Sequence, residues 1–230
     1  MTDIPYNLLS VRTRIATACK AAGRPESSVG LLAVSKTFGA SEVRRAHAAG
    51  QRAFGENYLQ EGLDKQAELA DLPLEWHFIG PVQSNKTRSL AERFDWVHGV
   101  ERLKIAQRLS DQRPAGLPAL NVCVQVNVSG EASKAGCAPA EALDLCRAVA
   151  ALPRLRLRGL MAIPAPAADA AERRAPFREL RELFQELRRA GLELDTISAG
   201  MSDDLEDAIA EGSTLVRVGS ALFGSRPPKA

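Results

Sequence analysis

Lys36 ends an apolar run, residues 29–37 (VGLLAVSKT), at a place where a cation has to be accounted for. Leu31, Leu32, Ala33 and Val34 have the length and composition of a short buried strand, and Gly30 and Gly39 bracket them. An ammonium at the end of such a strand must be paired, solvated or covalently used. Partial burial favours a neutral amine, and a neutral amine attacks aldehydes. The plainer alternative is a lysine whose stem follows the strand while its head reaches water. A second group lies far along the chain, at Arg217-Val218-Gly219-Ser220. Here a strand ends in a glycine, which lets backbone approach a ligand, followed by a hydroxyl at a turn. Ser202, at the start of a helix, could complete a phosphate cradle with Gly219 and Ser220; each serine alone could equally be a helix cap. Arg217 shares parity with Gly219 and should point inward, either to a carboxylate on a neighbouring strand or to a ring nitrogen. A guanidinium has no proton to spare, so such a nitrogen would stay unprotonated. Asn57 could hydrogen-bond a ring substituent or cap the next helix.

Other polar residues carry less. His77 lies inside a strand and reads as a core histidine. Tyr6 and Tyr58 are the only tyrosines and read as packing residues. Asp203 and Asp204 open a helix, where the helix dipole accounts for them. No nucleophile-elbow signal for Ser-His-Asp hydrolysis is present.

The elements that must position these residues follow from periodicity. Residues 5–22 form an amphipathic helix, with Leu8, Val11, Ile15 and Ala18 at helical spacing. Strands are predicted at 29–36, 52–57, 75–80, 96–100, 121–128, 157–163, 196–201 and 215–220. Helices are predicted between them: from Ser41 as N-cap to Gly50, then over 58–70, 84–94, 101–112 and 139–152. A further stripe runs through Phe177, Leu180, Leu183, Phe184 and Leu187, and a last helix, capped by Ser202 and Asp203, ends at Gly212. Residues 164–171 read as an alanine- and proline-rich loop. Eight strands alternating with helices call for a parallel sheet with right-handed crossovers. With the extra N-terminal helix this fits a single (β/α)8 TIM barrel over residues 1–230. A doubly wound open sheet is the alternative, but no GxGxxG follows the first strand. In residues 121–128, Val122, Val124, Val126 and Val128 share a face expected to pack outward on helices. Gln125 and Asn127 are expected to face the barrel mouth. Active sites of such barrels lie at the C-terminal strand ends, which here collect Lys36, Asn57, Gly80, Asn127, Ile163, Ser202, Gly219 and Ser220.

Bulk properties exclude several classes. The formal net charge is +2, so no global field favours nucleic acid or an anionic membrane. Cys19, Cys123, Cys137 and Cys146 form no CxxC and no ligand-like pairing with the three histidines, which argues against zinc and against a disulfide framework. A reducing cytoplasm is the expected compartment. The N-terminus does not read as a secretory signal. No apolar run approaches the ~18 residues of a membrane span.

Seven segments, VSKT, FGEN, WHFIGPVQSNK, QVNVSGEASKAG, RGLMAIP, GMSDDLEDAIAEGST and VRVGSALFG, together resemble the pyridoxal-phosphate homeostasis protein family. The resemblance spans nearly the whole chain. It implies a barrel of the alanine racemase N-terminal type that binds pyridoxal 5'-phosphate. By that resemblance Lys36 would hold the cofactor as a Schiff base and Asn57 would sit beside the pyridine ring. Ser202, Gly219 and Ser220 would hold the phosphate, with Met201 beside them and Ser198 a further candidate. Arg217 would face the ring nitrogen. One departure is SAGMS where the family pattern has SMGMS, so that Ala199 stands in place of a methionine.

Three functions use such a site: a cofactor carrier for vitamin B6 homeostasis and delivery, an amino-acid racemase, and a Schiff-base aldolase acting on a sugar phosphate. Two-base racemisation needs a second acid/base group opposite Lys36, and no tyrosine, cysteine or histidine is evident for it. The fold's catalytic relatives recruit that group from a second domain or a dimer partner, for which no chain remains. An arginine on the ring nitrogen leaves the ring a weak electron sink. The expectation is therefore a cytoplasmic, monomeric carrier without catalytic residues or metal, serving pyridoxal-phosphate-dependent apo-enzymes.

Overall fold

The computed structural model describes residues 2–130, 135–167 and 169–225. Eight parallel strands pair in chain order and close on themselves: β1 Gly30–Val34, β2 Ala53–Glu56, β3 Glu75–Phe78, β4 Trp96–Val100, β5 Leu120–Gln125, β6 Leu155–Met161, β7 Thr196–Ser198 and β8 Leu215–Val218. Closure is made by β1 against β8, where Gly30 to Ala33 pair with Leu215 to Val218. The barrel is thus preferred over the open sheet, and the β1–β8 seam is what brings residue 36 beside residue 219.

The helices are α1 Ile4–Ala21, α2 Ala40–Ala48, α3 Leu59–Glu68, α4 Thr87–Arg93, α5 Leu103–Gln112, α6 Ala142–Ala150, α7 Ala170–Arg189, α8 Leu205–Ala210 and α9 Ser220–Phe223. α1 buries Leu8, Val11, Ile15 and Ala18, as its spacing requires, and packs on α2, α8 and α9 outside the seam. Strand parity divides the core in two. The outward side chains, Val97, Val122, Val124, Val126 and Val128 among them, join the helix faces in one large apolar layer. Among the described residues, two small apolar clusters lie apart from this layer: Leu32, Val34 and Ile79, with Ala53 and Leu215 packed on them, and Trp96, Cys123 and Met161. Between them the interior is polar, with His77, His98, Ser198 and Arg217 all buried.

Several boundaries differ from expectation. β1 stops at Val34 because Ser35 enters a turn in which Thr37 takes φ 69°, a left-handed value rare for a β-branched residue. α2 starts at Ala40 with Gly39 as its N-cap. Ser41 is therefore not the cap; its hydroxyl donates to Glu42, whose carboxylate accepts the Gly39 N–H. α8 has Asp204 as N-cap, not Ser202 or Asp203, and the Asp204 carboxylate accepts the Met201 N–H. α7 reaches back to Ala170 through Pro176, because the Asp169 carboxylate caps its first turn at the Ala171 and Glu172 N–H groups. β5 ends at Gln125; beyond it the Val126 N–H still donates to the Met161 carbonyl of β6, while Gln125 and Asn127 exchange backbone hydrogen bonds with Cys137. Ala199 is fully buried in the outer apolar layer.

Candidate functional site

A cavity of about 280 Å³ opens at the C-terminal end of the barrel. Its lining comes from the residues that follow β1, β2, β3, β6, β7 and β8: Lys36 and Phe38, Asn57, Ile79, Ile163, Met201 to Asp203, and Gly219 and Ser220, with Val34, Arg217 and Gly224 completing it. Seven of the eight residues singled out from the sequence therefore meet in one space. Ser198 does not line it. Its side chain is fully buried and turns to Arg217 and His98, so it belongs to the support of the site and is placed away from any phosphate cradle. Gly80 and Asn127 do not line the cavity either. Gln125 is buried, and its side-chain amide donates to the Ala135 carbonyl. Gly80 has a packing role: a Cβ there would lie 2.2 Å from the Asn57 carbonyl oxygen, so glycine is what lets the end of β2 sit where Asn57 reaches the cavity.

Lys36 is half-buried and lines the cavity together with Val34. The turn that carries it is clamped on both sides. Ser35 Oγ donates to Glu56 Oε1 at 2.6 Å, and Lys65 Nζ donates both to the Ser35 carbonyl and to Glu56 Oε1 at 2.7 Å. On the other side the Thr37 N–H donates to Glu61 Oε2 at 2.9 Å. Glu56 and Lys65 are almost wholly buried. Burial pushes the Glu56 carboxyl up, and the Lys65 ammonium opposes that shift. A buried ion pair of this kind adds little net stability, but it defines one geometry and is costly to break. The sequence reading missed this network. Its signals were present, a glutamate at a strand end in FGEN and a lysine on the buried face of α3 beside Gly62 and Gln66.

Arg217 enters from β8 and is nearly buried. Its guanidinium donates to the Ser198 carbonyl at 2.5 Å, to Ser198 Oγ at 2.8 Å and to the Ala162 carbonyl at 2.9 Å. The carboxylate partner that was one alternative is not found: among the described residues no acid lies within ion-pair distance. Burial lowers Arg217 to about 10, against the raising influence of Asp204 and Cys123, so it remains a cation at neutral pH. The hydroxyl of Ser202 accepts the Ala221 N–H at 3.3 Å, which ties the turn after β7 to the start of α9 beside Gly219 and Ser220. Arg14 holds that turn from outside, donating to the Ser202 carbonyl at 2.9 Å.

A phosphorylated pyridine aldehyde fits the chemistry of this donor set: an amine for the aldehyde, hydroxyls and a strand-end glycine for the phosphate, and a guanidinium for the ring nitrogen. Asn57 Oδ1 strengthens the fit. It is buried with no protein partner, which is unusual for an amide oxygen unless a ligand or water supplies the donor. Tyr6 and Tyr58 are both exposed and line no part of the cavity, so they are not the packing residues expected. Among the described residues no group of histidine, cysteine and carboxylate side chains is arranged to hold a metal.

Fold and site together define a lysine-bearing barrel of the alanine racemase N-terminal type, and the family model described as "Alanine racemase, N-terminal domain" matches residues 7–227. The chain is 67% identical over 226 residues to the pyridoxal phosphate homeostasis protein of Pseudomonas aeruginosa, covering 98% of this chain and 97% of that one. It is 54% identical over 229 residues to the protein of the same name in Escherichia coli K12, with 98% of each covered. The solved structure of PipY from Synechococcus elongatus PCC7942, with PLP bound, superposes with a TM-score of 0.85 at 40% identity, covering 96% of this chain and all of that one. The chain belongs to the pyridoxal phosphate homeostasis protein family.

Proposed function

We propose that this protein binds pyridoxal 5'-phosphate reversibly on Lys36 and serves vitamin B6 homeostasis as a carrier without catalytic turnover. The observation that carries this is the meeting, in one small cavity, of Lys36, Asn57 with its orphaned Oδ1, Arg217, and the Ser202–Gly219–Ser220 cradle. The Lys36 amine condenses with the aldehyde and releases one water; hydrolysis reverses the bond and frees both partners. Ser202, Ser220 and the Gly219 backbone hold the phosphate, with Met201 over them. Asn57 accepts a hydrogen bond beside the ring, and Arg217 donates to the ring nitrogen. When bound, the cofactor supplies an electron-accepting pyridine ring, and a guanidinium on its nitrogen keeps that capacity low.

Two-base chemistry also needs a second acid/base group across the substrate carbon. Among the described residues lining the cavity there is no tyrosine, histidine or cysteine, which supports binding over turnover. All four cysteines are free and buried, in accord with a reducing cytoplasm. The protein acts there as a monomer that gives up pyridoxal phosphate to apo-enzymes.

The test is the visible spectrum of the purified protein, before and after borohydride. A yellow protein is expected, with the reduced adduct on Lys36 and no band in Lys36→Ala. An adduct on another side chain would sink the proposal. Stereoinversion of any amino acid at an ordinary rate of ~1–10³ s⁻¹ would replace the carrier with a racemase.

A further inference from the structure

The interior of the barrel carries a continuous hydrogen-bonded chain that the binding site does not by itself require. Glu75 and His77 project inward from β3, His98 from β4, Ser198 from β7 and Arg217 from β8. Glu75 Oε1 meets His77 Nε2 at 2.7 Å, His77 Nδ1 meets His98 Nε2 at 2.9 Å, and His98 Nδ1 meets Ser198 Oγ at 2.8 Å. Ser198 Oγ then takes the Arg217 Nη1–H at 2.8 Å. His77, His98, Ser198 and Arg217 are all buried, and only the Glu75 side chain, half exposed, reaches solvent. The indole of Trp96 stacks on His77 at 5.1 Å between centroids, and Arg158 lies over that indole at 4.5 Å.

The two ends fix the direction of every bond. Glu75 as a carboxylate can only accept, and Arg217 can only donate. With both imidazoles neutral, as burial favours, one arrangement satisfies all five groups. Arg217 donates to Ser198 Oγ, and the Ser198 hydroxyl donates to His98 Nδ1. His98 Nε2–H then donates to His77 Nδ1, and His77 Nε2–H to Glu75. No proton can reach Arg217 along this path, because the guanidinium has no vacant site to receive one. The chain therefore orients and polarises; it does not conduct.

We propose that Glu75, His77, His98 and Ser198 form a relay of positioning residues that holds the Arg217 guanidinium toward the cofactor ring and links its charge to the Glu75 carboxylate across the barrel. This rests on the binding proposed above. Arg217 has no carboxylate of its own within ion-pair distance among the described residues, so the relay adds a side-chain acceptor, linked to a distant carboxylate, to the Ser198 and Ala162 carbonyls that already receive this buried cation. Other charged or titratable groups facing the chain are Asp95 and Arg158 near His77, and Asp204 and Cys123 near Arg217.

The experiment uses the full chain with pyridoxal phosphate and compares wild type, Ser198→Ala, Ser198→Thr and Glu75→Gln. Affinity is measured by titration, together with the position and pH midpoint of the visible band. Ser198→Ala is expected to weaken binding about tenfold, the scale of one charged hydrogen bond, and to move the midpoint. Ser198→Thr, which restores a hydroxyl, should return both toward wild type. Glu75→Gln, at the exposed end, should move the midpoint with little change in thermal stability. A wild-type band with affinity and midpoint unchanged in both Ser198→Ala and Glu75→Gln would overturn the relay alone. A wild type without a borohydride-reducible band on Lys36 would overturn the binding proposal, and the relay's role with it. If Ser198→Ala does not fold, Glu75→Gln decides the matter by itself.

Discussion

Removing the Arg217 guanidinium is expected to weaken retention of pyridoxal phosphate by tenfold or more, about what one buried, charge-assisted hydrogen bond is worth. Arg217→Ala, dialysed beside wild type and followed by absorbance, measures this, and unchanged retention would remove the arginine from the site. Asn57→Ala should cost less, because it removes a neutral acceptor; a loss under about tenfold is expected in the same assay. Both residues were legible from the sequence because strand parity and strand-end position are local properties. Ser198 was a phosphate candidate only through the family resemblance, and the cavity lining does not include it; a residue's place along a strand does not say at what depth in the barrel its side chain sits. Ser198 lies beneath Arg217, and Ser202, four residues on, reaches the cavity.

The strand-end turn that bears Lys36 depends on a support made by neighbouring elements. β2 supplies Glu56, and α3 supplies Glu61 and Lys65. Lys65→Met would leave the Glu56 carboxylate buried opposite a thioether. A loss of about 3–5 kcal/mol is expected from urea denaturation, with a larger effect on cofactor binding than stability alone explains. The double variant Glu56→Gln/Lys65→Met should recover much of that stability, since no uncompensated charge then remains. If the single variant is as stable as wild type, the pair is not what holds the turn. At this scale helices and strands were mostly readable from their periods, as for α1 and for the valine face of β5. Their ends were less so. At the start of α2 the Glu42 carboxylate takes the Gly39 N–H, and before α8 the Asp204 carboxylate takes the Met201 N–H; the sequence offers several candidate caps within one turn of each start.

The whole molecule is expected to lose stability in mild acid, before its surface carboxylates titrate. His77 and His98 are buried and held below their ordinary 6.5, His98 well below, chiefly by burial. Between those depressed values and 6.5 the unfolded chain binds more protons than the native protein. Stability is therefore fully present above about pH 6.5 and falls as pH drops, by up to about 1.4 kcal/mol per pH unit for each proton. Glu56, raised above its ordinary 4.5 by burial, opposes this with a single proton. Urea melts between pH 7.5 and 5 should show the slope, and His98→Gln should reduce it; a flat profile would mean that the imidazoles are not held neutral. The amino-acid sequence alone determined the alternation of strands and helices, the lysine at the end of the first strand and the glycine–serine pair at the end of the last, because each is written in a local pattern of a few residues. Closure of the sheet, the buried Glu56–Lys65 pair and the histidine relay were decided only in three dimensions. They join groups as far apart as His98 and Ser198, 100 residues away, and no local period records which distant side chain will stand at hydrogen-bond distance inside a closed barrel.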